Sequence, residues 1–251
     1  MLHCRRHAAQ SLDRCQEEPG IAELPADFSR VRAGDPPVAL TFYYGAGSPY
    51  AWRVWLALEH KGIPYERKVL SFAEGDPKKP EFVALNPRGK VPAIADGDFR
   101  LYESAAIVEY LDDTYPDYGK RLFPGSVRDR ALVRRMVCEA DNYVAAAMNR
   151  LVRSVLFTKP DEWNPERMTA ARDELLAELA RWPAAFRGDY LAGPLSAADY
   201  TLYPLVALAL RCEKKQPDLA LRERLPQRIG AWMQGVEILP FFPKTWPAHW
   251  K

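Results

Sequence analysis

A chain of 251 residues with 48% hydrophobic and 27% charged residues has material for one large domain or two modest ones, and its composition is globular rather than disordered. Its 35 basic and 33 acidic residues leave a net charge of only +2, with no run of five or six like charges, which argues against a nucleic-acid arm. The longest apolar runs, such as residues 205–210, are far too short to span a bilayer.

Residues 1–36 mix Arg, Asp, Glu, Pro and Gly without periodicity. Arg5 and Arg6 would suit a transit peptide, but Asp13, Glu17 and Glu18 follow at once, so a flexible N-terminal extension is expected. The apolar, aromatic run from Val38 to Tyr43 predicts a buried strand, which Gly45 and Gly47 break. Ser48-Pro49 then supplies an N-cap and a first-turn proline for a helix that Lys61-Gly62 ends. Tyr65 to Leu70 reads as a second strand, and Pro80 to Leu85 as a short helix. Val91–Ala95 and Phe99–Tyr102 flank Asp96-Gly97-Asp98, a hairpin signal. Glu103 opens a helix carrying Ile107, Val108 and Leu111 on one side and ending near Tyr115-Pro116. Strands joined through a helix favour a parallel crossover and the tight final pair must be antiparallel, so a mixed four-stranded sheet is expected.

After Pro124 the character changes. Val127–Phe157, Pro165–Phe186, Ser196–Leu210 and Arg222–Val236 are helical by propensity, and no convincing strand pair interrupts them. Pro204 should kink its helix. The expected organisation is a sheet domain over 37–115, a linker over 116–127 and an all-helical domain over 128–251. The four cysteines, Cys4, Cys15, Cys138 and Cys212, form no Cys-x-x-Cys pair, which disfavours a dithiol redox centre and fits a reducing, cytoplasmic setting. The four histidines have no ligand spacing, so no metal site is expected.

Four motifs in this order carry a family likeness: Ser48-Pro49 after the first strand, Asn86-Pro87-Arg88-Gly89-Lys90-Val91-Pro92, Glu103-Ser104 after the hairpin, and Leu191 to Asp199 in the helical half. From Val38 onward the chain resembles the soluble glutathione transferases of the serine type. The resemblance implies an α/β plus all-α architecture, with a thioredoxin-like domain that binds glutathione and a helical bundle that completes the site. It also implies a homodimer and glutathione as a co-substrate, with no permanently bound cofactor.

Glutathione reacts as its thiolate. A free thiol has a pKa near ~8.5, and lowering it by about two units takes roughly 2.7 kcal/mol of preferential stabilisation of the anion. A serine hydroxyl at a helix N-terminus supplies a charge-assisted hydrogen bond together with partial positive charge. Ser48 matches the family's activating serine; as a plain N-cap it would need no catalysis. Tyr43 and Tyr44 are the rivals, since other classes use a tyrosine near the end of the first strand. The resemblance further implies a cis Pro92, backbone pairing of Val91 with the cysteinyl part of glutathione, and Glu103 and Ser104 at the γ-glutamyl group. Lys90 would meet the glycine carboxylate. Ser196-x-x-Asp199 reads as a capping box with a structural role.

An apolar pocket for a small hydrophobic electrophile is expected between the Ser48 loop and the first long helices of the second domain, with Tyr50, Met136, Tyr143 and Trp163 as candidates. Trp246 and Trp250 would fold the tail back over the bundle. Two other readings stay open: a non-catalytic binding or interaction protein on the same fold, and a glutathione-dependent disulfide reductase.

Overall fold

The computed structural model describes residues 40–250. The extension expected over 1–36, with Cys4 and Cys15, lies outside the described residues. Strand β1 (Leu40–Tyr44) alternates buried Leu40, Phe42 and Tyr44 with partly exposed Thr41 and Tyr43, the signature of a strand with two unequal faces. It pairs in parallel with β2 (Glu66–Val69) and antiparallel with β3 (Ala93–Asp96), which pairs antiparallel with β4 (Phe99–Tyr102), giving the order β2-β1-β3-β4. This is the mixed sheet of a thioredoxin-like domain. β2 is exposed along its whole length and carries Glu66, Arg67 and Lys68, charges that blunt a sheet edge. The third strand begins two residues later than expected, because Pro92 has no N–H for the ladder.

Helix α1 (Pro49–Lys61) follows β1. Ala51 through Leu58 are all buried, so α1 is enclosed rather than amphipathic, as a helix trapped between a sheet and a second layer must be. Gly62 stops it in the left-handed conformation, φ 67°. The short α2 (Pro80–Val83) precedes the Asn86 loop, and α3 (Ser104–Thr114) follows the hairpin. Glu103 does not open α3 as a helical residue: it is the N-cap, with φ 72°.

The helical half departs from its sequence pattern at the π turn, at Pro183 and at Pro226. The run expected over Val127–Phe157 resolves into α4 (Val127–Glu139), a π-helical turn at Ala140–Val144, and α5 (Ala145–Val155). The run to Phe186 stops earlier, as α6 (Pro165–Leu179), and continues as a 3-10 turn containing Pro183. α7 (Ala197–Leu210) runs through Pro204 and is buried on every side, packing on α1, α4 and α5. The helix expected over Arg222–Val236 is split into α8 (Leu221–Arg224) and α9 (Gln227–Glu237). Pro226 holds Leu225 extended at ψ 140° and denies it the helical conformation. A last turn, α10 (Phe242–Thr245), leads into the tail. The tail folds not over the bundle alone but onto α1, where Trp246 and Trp250 meet the Trp52 ring edge-on at 5.5 and 5.3 Å.

Buried carboxylates lock the junctions. Asp112 of α3 accepts the Leu122 amide at 2.7 Å and pairs with Lys61 at 3.3 Å and Arg121 at 3.0 Å, tying α1 and the linker together. Asp199 accepts from the Ser196 amide and hydroxyl at 2.9 Å each, and from the Leu191 amide and Trp232 Nε1. Burial pushes the Asp199 carboxyl up to about 6, against the pull of those donors.

Candidate active site

The site begins where β1 ends. The Gly45-Ala46-Gly47 loop is packed from two directions: a Cβ on Gly45 would run into the Phe72 ring, and one on Gly47 would lie 2.9 Å from His249 Nε2. Gly47 also has φ +84°, so both space and conformation select glycine there. Ser48 is the N-cap of α1, its Oγ accepting the Ala51 amide at 3.3 Å. That bond uses a lone pair and leaves the hydroxyl hydrogen available to an acceptor at the positive end of the helix. Tyr44 is buried, stacked on Phe42 and tilted against Trp55 with centroids 5.3 and 5.0 Å away. Tyr43 turns to the other face of the sheet, against Phe82 at 6.1 Å.

The Asn86–Pro92 segment is organised by one side chain. Buried Asn86 donates from Nδ2 to the Lys90 carbonyl at 2.6 Å and accepts the Arg88 amide at 3.0 Å. Gly89 has φ +56°, and a Cβ there would come 2.7 Å from the Pro77 carbonyl oxygen. The loop delivers Val91-Pro92, whose peptide bond is cis, to the end of β3. Next to it, Glu103 holds φ 72° with ψ 106°, a conformation a non-glycine residue adopts only under local constraint. The Glu103 side chain is exposed, with Arg88 at 3.8 Å. Ser104, the first helical residue of α3, is buried.

Lys90, Val91, Pro92, Glu103 and Ser104 line one cavity of about 570 Å³, together with Asn86, Arg88, Tyr50 and Asp141. Asp141 was not among the residues singled out from the sequence. It sits in the π-helical turn, a feature that recurs at functional sites, and forms a two-pronged ion pair with Arg53 of α1, one arm of it 3.0 Å. Arg53 is 1% exposed. A charged residue among the apolar side chains of Ala51 to Leu58 is the signal that a partner has to exist.

The four residues expected around a second-substrate pocket are not brought together. Tyr50 lines the cavity just described. Met136 is 1% exposed, part of the hydrophobic core. Tyr143 faces a separate groove beside Trp182, and Trp163 Nε1 is bound to the Val155 carbonyl at 3.2 Å. Met136 and Tyr143, seven residues apart, would share a face of a continuous α-helix, but the π turn that holds Tyr143 shifts the face. What borders Ser48 instead is a smaller cavity of about 260 Å³ between the β1–α1 loop, Trp52, Trp55, Arg67 and the tail from Lys244 to Ala248. No group of three His, Cys, Asp or Glu able to hold a metal ion occurs among the described residues, and none of the described helices is long and apolar enough to cross a membrane.

Residues 47–114 match the family model described as Glutathione S-transferase, N-terminal domain. The chain is 29% identical to Glutathione S-transferase A of Pleuronectes platessa, over 84% of this chain and 92% of that protein. It is 31% identical to Glutathione S-transferase 3 of Zea mays, over 79% of this chain and 89% of that one. The crystal structure of a glutathione S-transferase from the Antarctic clam Laternula elliptica superposes with a TM-score of 0.70 at 30% identity, covering 84% of this chain and 94% of the clam protein.

Proposed function

The chain belongs to the glutathione S-transferase family and is a transferase, and from that premise we propose that Ser48 holds glutathione as its thiolate and directs it at a small hydrophobic electrophile. The observation that carries this reading is the 570 Å³ cavity, in which Lys90, Val91, Pro92, Glu103 and Ser104 share one space of a size that suits a tripeptide.

In this reading Val91, beyond the end of β3, pairs its backbone with the cysteinyl residue as an added strand would. The γ-glutamyl carboxylate meets Ser104 and the N-terminal amides of α3, while Glu103 and Asp141 face its ammonium group. Lys90 is exposed at the rim and meets the glycine carboxylate. The sulfur then lies near the N-terminus of α1, where the Ser48 hydroxyl donates to it and the helix end favours the anion; the thiol proton passes to solvent. The packing of the Tyr44 ring between Phe42 and Trp55 and the opposite facing of Tyr43 favour Ser48 over either tyrosine. The same proposal includes a homodimer, checked by light scattering, and a cytoplasmic setting.

The test is binding of reduced glutathione to wild type beside Ser48→Ala, with thiolate absorbance followed across pH. Wild type should ionise the bound thiol well below its free value, and Ser48→Ala should restore the free value. Binding without a shift in wild type would favour a carrier on the same fold. Turnover confined to disulfides would favour a reductase.

A further inference from the structure

Beside Ser48, on the side of the loop covered by the tail, lies the 260 Å³ cavity walled by Tyr44, Trp52, Trp55 and Trp246. An apolar cavity of about 150 Å³ holds benzene, so this one takes a single substituted ring. Its walls are fixed rather than loose. Trp52 Nε1 donates to Thr245 at 2.9 Å, Lys244 pairs with Glu59 at 2.7 Å, and Lys214 donates to the Trp250 carbonyl at 2.8 Å.

The charged residues in its lining, Arg67 and Lys244, are both cations. Lys244 is committed to Glu59 through both carboxylate oxygens, at 2.7 and 2.9 Å. Arg67 has neither an ion pair nor a side-chain hydrogen bond among the described residues; its guanidinium carbon lies 4.8 Å over the Trp55 ring, where stacking holds it in place. An aromatic box with a guanidinium at its edge that no described carboxylate pairs is complementary to an aromatic ring bearing an anionic substituent.

We infer that this cavity receives the second substrate, and that the substrate class it selects is a single-ring aromatic electrophile carrying a carboxylate or similar anion, which Arg67 grips while the reactive carbon faces Ser48. The inference rests on the transferase reading of Ser48. In the step it serves, the thiolate sulfur supplies the electron pair of a new carbon–sulfur bond. The leaving group departs with the pair of the bond that breaks, as halide in the case of a chloroarene, and the anionic substituent stays unchanged.

The experiment uses the full chain and two pairs of probes. Dinitrobenzoate and its methyl ester have no leaving group and report binding by calorimetry; para-chloro-dinitrobenzoate and its methyl ester report kcat/KM with glutathione. Wild type should prefer each anion over its ester by about tenfold, in binding and in kcat/KM divided by each probe's uncatalysed rate with glutathione, the value of one charge-assisted contact at a solvent-accessible site. In Arg67→Gln that ratio should fall to about one, and added salt should erode it in wild type. Trp246→Ala should weaken anion and ester alike. Equal binding of anion and ester in wild type, or a ratio that Arg67→Gln leaves intact, would overturn the inference even where glutathione ionisation is normal. Selective binding of dinitrobenzoate in a protein that fails to ionise glutathione would keep the pocket and discard the transferase reading of Ser48.

Discussion

Ser48 carries two duties that a single truncation confounds. It caps α1, and in the proposed function it donates to the thiolate. Asp is as good an N-cap as Ser but has no proton to give when ionised. Ser48→Asp should therefore keep the melting temperature close to wild type, whereas Ser48→Ala loses about 1 kcal/mol of cap. In Ser48→Asp the thiol of bound glutathione should nonetheless titrate at or above its free value; thermal denaturation beside thiolate absorbance reads both duties. Arg53 and Asp141 differ in kind, because their pairing is structural before it is functional. The Arg53 side chain is 2% exposed and that of Asp141 28%. Asp141→Ala strands a buried guanidinium, and a loss of about 3 kcal/mol in urea denaturation is expected, the lower end of the range for broken buried pairs since Asp141 keeps some solvent. A loss below ~1 kcal/mol would mean that water replaces the carboxylate without difficulty.

At the scale of elements, α7 and the tail are held by polar bonds inside apolar surroundings. Asp199 gathers four donors at the start of α7, among them Trp232 Nε1 from α9. Removing it leaves several of them buried without partners, at about 1–3 kcal/mol each. Asp199→Ala should consequently fail to accumulate as folded protein at physiological temperature. Asp199→Asn keeps an acceptor for Leu191 and Trp232 and should fold with reduced stability, which expression yield and chemical denaturation will distinguish. The tail hangs on Thr245, whose hydroxyl accepts Trp52 Nε1 and donates to the Phe242 carbonyl. Thr245→Val preserves shape but orphans that indole, at about 1–3 kcal/mol. The effect should be local, with faster amide exchange over α10 and the tail and unchanged exchange in α5 and α6.

For the molecule as a whole, acid stability depends on groups with opposite signs. His60, at the end of α1, shares a 2.7 Å hydrogen bond with Tyr200 of α7 and sits near Lys61, Lys120 and Asp112. Burial first, and Lys61 next, lower its pKa from 6.5 to about 4, so the folded state holds it neutral. Its contribution is present above pH 6.5 and is lost as pH falls toward about 4, because the unfolded chain takes up the proton first. Asp199 runs the other way: its folded pKa of about 6 exceeds the ordinary carboxyl value of 3.8, so its contribution is present below 3.8 and lost as pH rises through about 6. The stability advantage of wild type over His60→Asn should shrink as pH is lowered from 6.5 to 4 in urea titrations. An advantage independent of pH across that window would remove His60 as the titrating group.

The sequence by itself determined the order of elements in the sheet domain, the helical character of the second half and the four motifs of the family. Each is local: strand alternation, an N-cap, a glycine stop or an Asn-Pro turn is written in neighbouring residues. The family resemblance could name Lys90, Val91, Pro92, Glu103 and Ser104 together, because two short motifs carry them. Only the tertiary structure decided the rest. Whether Met136 faces a cavity or the core depends on what packs against α4, and the π turn gives Tyr143, seven residues on, a different face. Asp141 reaches the 570 Å³ cavity only because the helical half packs beside α1. The tail, more than 180 residues from Trp52 in sequence, becomes a wall of the cavity beside Ser48 through contacts of high sequence separation. No periodicity encodes such contacts: they are fixed by burial of apolar area and by pairing of buried polar groups, both of which exist only once the layers have met.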